Sequence, residues 1–136
     1  MKQTLLILFI MSASMAFAQN KRRILGCWSV YEKGSKVQWQ FEKDSIRYII
    51  VTYEGNTKEV WDVTVLDGTY KLLKDTVFAI LGPNKVPLNI PVISTKKNKL
   101  VLGEKNSQQI LTRTNLCLRY RLITSDDGGY HWELVD

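Results

Sequence analysis

About ten short stretches of strand-forming sequence, cut apart by turn residues, run from Gly26 to the C-terminus. Across them no window of eleven or more residues carries an apolar stripe of helical period. Val37, Trp39 and Phe41 alternate with Gln38, Gln40 and Glu42, which gives one apolar face. Ser45 to Tyr53 is β-branched and aromatic, and Glu54-Gly55-Asn56 ends it as a turn. Glu59 to Leu66 is closed by Asp67-Gly68, and Thr69 to Leu73 and Thr76 to Leu81 follow, with Gly82-Pro83-Asn84 as punctuation. Val86 to Ser94 is apolar but holds Pro87 and Pro91, which cannot donate to a ladder, so it reads as an edge strand, a bulged strand or an extended loop. Lys99 to Gly103, Gln108 to Arg113, Leu116 to Ile123 and Tyr130 to Val135 complete the series. A chain divided in this way folds as an all-β antiparallel barrel or sandwich.

The N-terminus has a different composition. Lys2 precedes the apolar run Thr4 to Met11, and the small-residue site Ala16-Phe17-Ala18 follows, the three parts of a cleavable secretory signal over residues 1–18. The run is shorter than the ~20 residues a helix needs to cross a bilayer, so the chain reads as exported, periplasmic or secreted, and not membrane-spanning. Ile24-Leu25-Gly26-Cys27 is similar to the end of a lipoprotein signal. Asn20-Lys21-Arg22-Arg23 separates it from the apolar core, however, and the lipoprotein reading is set aside. Cleavage removes one lysine and no acid, leaving 118 residues, 18 basic and 13 acidic side chains and a net charge of +5. That length is a single domain over 19–136. Its basic spots read as solvated surface or as a meeting point with anionic envelope components. No nucleic-acid motif is present, and export argues against such a partner.

Gly26-Cys27-Trp28 fits the G-x-W signature that opens lipocalin and lipocalin-like barrels. Phe41-Glu42-Lys43-Asp44, Trp61-Asp62-Val63, Thr69-Tyr70-Lys71-Leu72, Lys99-Leu100-Val101-Leu102 and Leu111-Thr112-Arg113 follow in a succession that resembles small secreted bacterial lipocalin-like proteins. The resemblance implies an up-and-down β-barrel of about eight to ten short strands over roughly 24–114, with an extra C-terminal hairpin over about 116–135. It also implies three fold-maintaining residues. Trp28 plugs the closed end, Arg113 lies across its indole in a cation–π contact, and Gly26 lets the chain pass closely beneath the floor. Beside that closure Cys27 faces outward, and Cys117 follows Arg113 by four residues, so the two are expected to form a disulfide that fastens the hairpin. The alternative is two unrelated buried thiols.

Catalytic chemistry finds little to work with. His131 is the only histidine, which excludes a multi-histidine metal site and leaves a single base for any triad. Asp126 and Asp127 lie in a turn. Ser125 to Trp132 resembles the Asp-box hairpin of sialidase-type propellers, but one copy in a short chain keeps only its meaning as a stiff turn. The sequence therefore reads as non-enzymatic, with no catalytic residue, no metal site and no cofactor. Trp39, Phe41, Trp61, Val63, Tyr70 and Phe78, with Val65 and Leu72, are the apolar positions expected to face a cavity. The leading expectation is a monomeric binding module taking a small apolar or amphipathic ligand. The other is an envelope interaction or structural protein with a filled barrel and no small-molecule ligand.

Overall fold

The computed structural model describes residues 23–135, so the secretory-signal reading lies outside the described residues. Eight strands close a barrel: β1 (Gly26–Glu32), β2 (Ser35–Phe41), β3 (Ser45–Tyr53), β4 (Val60–Leu73), β5 (Thr76–Leu81), β6 (Val86–Thr95), β7 (Lys99–Glu104) and β8 (Ser107–Thr114). Each pairs antiparallel with its neighbours, and β1 closes on β8 through Cys27↔Thr114, Trp28↔Arg113 and Ser29↔Thr112. β9 (Arg119–Thr124) and β10 (Tyr130–Val135) form a separate two-stranded sheet. The chain is thus all-β, an eight-stranded barrel with a C-terminal hairpin. The end where β1 begins and β8 finishes is called the floor, and the opposite end the mouth.

One local reading changes, and another resolves between its alternatives. Asp67-Gly68, read as a turn, lies inside β4, where Gly68 pairs with Ile46 on one side and Leu81 on the other. A Cβ at Gly68 would overlap the carbonyl oxygen of Ile80, so glycine is needed here for close backbone approach within a ladder. Val86 to Pro91 bonds β5 along its length, but β6 joins β7 only from Val92 to Thr95, with a bulge between Val92 and Ser94. The strand is both edge-like and bulged, and both prolines fall in the half without a second neighbour. Proline costs least there and blunts an exposed edge.

The barrel is filled by Ile24, Trp28, Val37, Trp39, Phe41, Ile46, Tyr70, Val77, Ala79, Leu81, Leu100, Leu102 and Leu111. At the floor Trp28 is 0% exposed, its Nε1 donates to the Ile24 carbonyl at 2.8 Å, and the Arg113 guanidinium lies 4.2 Å from the centre of its ring. Gly26 has φ +120°, and a Cβ there would sit 2.7 Å from Arg113 Nη1. The glycine thus leaves room for the cation over the plug.

A second cluster lies outside the barrel. Ile49, Val51, Val63 and Val65 on the outer wall of β3 and β4 are covered by Leu118, Tyr120, Trp132 and Leu134. The chain reaches that wall by crossing β1 and β2. Cys27 and Cys117 form the expected disulfide, with a Cα–Cα distance of 5.6 Å. Next, the Leu118 N–H donates to Gln38 Oε1 at 2.7 Å, while Gln38 Nε2 donates to the Leu116 carbonyl at 3.2 Å and Gln40 Nε2 to the Leu118 carbonyl at 2.9 Å. Two side-chain amides thus serve the connecting segment as a neighbouring strand would. Alternation makes Gln38 and Gln40 the polar face of β2, yet they are 0% and 5% exposed because this segment lies over them. Gln38→Leu strands the Leu118 N–H and the Leu116 carbonyl. We expect a loss of ~1–3 kcal/mol in urea unfolding, together with faster hydrogen exchange at the Leu118 amide. Unchanged exchange there would show that the Gln38 contact does not hold the segment.

The hairpin turn has the expected hydrogen bonds and glycine conformation. The Ser125 hydroxyl donates to the Gly129 carbonyl at 3.0 Å, the Gly129 N–H donates to Asp127 Oδ1 at 3.1 Å, and Gly128 has φ +83°. Trp132 packs edge-on against Tyr120, 4.8 Å between ring centres. His131 is exposed, 3.2 Å from Glu133 Oε1.

Candidate functional site

Ladder registers decide which side chains look inward. Trp39 faces Trp28 and Tyr48 in its neighbouring strands, Val37 faces Val30 and Ile50, and Leu66 faces Tyr48. Above Trp39 Val37 is still buried, while Val30, Tyr48, Ile50 and Leu66 pack on the core but are only partly buried. They form an apolar lining at the mouth, with the Tyr48 ring 4.4 Å from that of Trp39.

Polar groups enter the same space. Trp39 Nε1 donates to Gln109 Oε1 at 2.7 Å, and Gln109 Nε2 donates to Glu32 Oε2 at 3.3 Å. Ser35 and Thr52 hydroxyls meet at 3.3 Å. This relay carries hydrogen bonding from a buried indole to an exposed carboxylate. Burial, and then the Glu32 charge, raise the Tyr48 phenol above its ordinary pKa, so it stays a neutral donor at physiological pH. A mouth with an apolar wall and a few fixed polar groups can orient an amphipathic molecule. It offers no nucleophile–base pair.

Below Trp39 the space is occupied. Phe41 lies 6.1 Å from Trp39 and 5.4 Å from Tyr70, ring centre to ring centre. The Tyr70 hydroxyl donates to the Glu42 carbonyl at 2.6 Å, and burial, then Asp44, push its pKa up to about 12.

Of the six residues expected to face a cavity, Trp39, Phe41 and Tyr70 lie inside, only Trp39 near the mouth. Trp61, Val63 and Phe78 face outward, which corrects their expected orientation. Leu66 turns inward beside Tyr48, so the alternate positions 61, 63 and 65 face out. The hairpin covers Val63 and Val65, and Trp61 is 74% exposed. Val77 and Ala79 fill the core, leaving Phe78 on the outer wall at 41% exposure. Leu72 packs on the core from inside. Sequence reasoning missed Tyr48, Ile50, Leu66 and Gln109. Pairing Tyr48 with Trp39 across β2 and β3 was the signal that could have found the first of them.

Among the described residues no group of three or more His, Cys, Asp or Glu side chains could hold a metal ion, and no helix is long and apolar enough to cross a membrane. No family model matches the chain, and no curated protein does. A solved structure does match: a lipocalin-like protein from Bacteroides uniformis, with a TM-score of 0.51 and 18% identity, covering 68% of this chain and 99% of that one. The fold is lipocalin-like. A barrel of eight strands is just wide enough for side chains to fill it or for one small ligand to sit inside. In this one Trp28 plugs the floor, the lower interior is packed, and the partly buried apolar residues Val30 and Ile50 lie toward the mouth.

Proposed function

We propose that this lipocalin-like protein is an exported, non-enzymatic binding module that holds a small amphipathic molecule at the mouth of its barrel. The partly buried ring of Val30, Tyr48, Ile50 and Leu66 above Trp39, joined by the Trp39–Gln109–Glu32 relay, carries the reading. The molecule's apolar part lies on the ring, and its polar end meets Gln109, Ser35 and Thr52. The N-terminal signal and the Cys27–Cys117 disulfide support export, since such bonds persist in oxidising compartments.

Native mass spectrometry on protein purified from its own host's envelope tests this. Expected are a mature chain beginning at Gln19 and a bound small molecule that is lost when Leu66→Arg places a charge in the apolar ring. A chain that always flies without added mass, and binds no amphiphile when offered one, would overturn ligand binding. The packed lower interior would then favour an envelope interaction protein with a filled barrel.

A further inference from the structure

We infer a second site at the opposite end of the barrel, a floor hollow that binds a phosphate-bearing molecule. The hollow has a volume of about 790 Å³ and is lined by Arg23, Lys96, Lys97 and Arg113, with uncharged polar residues such as Asn98 and Asn115 and no carboxylate. Its cations come from three separate segments, the N-terminal approach, the β6–β7 turn and β8, so tertiary structure gathers them.

Arg113 does the gathering. Its Nε donates to the Lys97 carbonyl at 2.8 Å, Nη1 to the Leu25 carbonyl at 2.7 Å, and Nη2 to the Arg23 carbonyl at 2.9 Å. These bonds hold the β6–β7 turn against the N-terminal approach and place Arg23, Lys96 and Lys97 around one space. Carbonyls satisfy the guanidinium's donors without neutralising it. Among the described residues the ion pairs involve Arg47, Arg121 and His131, and none engages a cation of the hollow.

Several unpaired cations facing one concavity match a multiply charged oxyanion, and lysines bind phosphate as point charges. The volume suits a phosphorylated small molecule or a lipid headgroup and exceeds what a bare ion fills. The shared chemistry is the phosphate.

Two binding arms identify the source, with the mature protein titrated by vesicles of phosphatidylglycerol in phosphatidylcholine and, separately, by inorganic pyrophosphate. Binding in at least one arm is expected, weakening with added salt. The double variant K96Q/K97Q should lower affinity roughly tenfold or more, since each lysine near an anionic surface contributes on the order of a fivefold factor. K58Q/K105Q, which removes the same charge from loops at the mouth, should change it less than about twofold. All four lysines are exposed, so thermal unfolding serves as the folding control for both variants. Binding to vesicles assigns the phosphate to a headgroup, and binding to pyrophosphate alone assigns it to a free molecule. No binding in either arm, or an equal loss from the two double variants, overturns the site.

Discussion

Trp28→Ala is expected to lower stability by ~3–5 kcal/mol, the range for truncating a buried aromatic. The indole is fully enclosed at the floor, packed within the main core, and bonded through its N–H to the Ile24 carbonyl. Alanine leaves both a void and an unsatisfied carbonyl. Arg113→Ala is costly in another way. It removes the cation 4.2 Å from the Trp28 ring and the three donors that hold the carbonyls of Arg23, Leu25 and Lys97. The carbonyl bonds do not depend on Trp28, whereas the ring contact does. In urea unfolding the two losses should therefore couple by ~0.5–3 kcal/mol, with Arg113→Ala cheaper once Trp28 is gone. Arg113→Lys keeps the charge but has no planar fork, and it should fall well short of restoring wild-type stability. Strict additivity of the two alanine variants would sink the plug-and-cation pairing.

Most of the barrel was legible because its signals are local. Turn residues cut the chain into segments of strand length, and alternation through Val37, Trp39 and Phe41 assigned the inner face of β2 correctly. Gly26, Trp28 and Arg113 could be placed because G-x-W and the closing basic residue mark the two strands that meet at the floor. What failed depends on contacts between distant segments. β3 is apolar on both faces, Ile46, Tyr48 and Ile50 inside and Ile49 and Val51 outside, so period-two reading has no preferred side. Val63 and Val65 carry an apolar face that local reasoning sends inward. Their cover is the hairpin of Tyr120 and Trp132, more than fifty residues away in sequence. Burial of Gln38 and Gln40 on the polar face of β2 is hidden from alternation for the same reason, since their partners are backbone groups near Cys117. The mouth site inherits this difficulty, because its lining is set by register across several strands.

Loss of the Cys27–Cys117 bond is expected to cost up to ~4–5 kcal/mol, through the closed loop it imposes on the unfolded chain. The two residues are 90 apart in sequence, so the bond spans nearly the whole barrel. Chain entropy sets the upper figure, and compactness of the unfolded chain reduces it. The native state supplies a second effect. Thr114 ends β8 beside Cys27, and the connecting segment then has to cross β1 and β2 before the hairpin meets β3 and β4. The disulfide fixes the start of that crossing, the two glutamines hold its middle, and Tyr120 fixes its far end through Asp67, 2.9 Å from its hydroxyl. With the bond cut, the barrel keeps its ladders while the segment keeps only hydrogen bonds and the apolar cover. Reduction should therefore expose residues 115–118 to protease before the barrel unfolds, and a C27A/C117A variant should behave alike. Ellman titration of the denatured, unreduced mature protein should find no free thiol. Two free thiols, or protease resistance at 115–118 unchanged by reduction, would show that the hairpin is held without the bond.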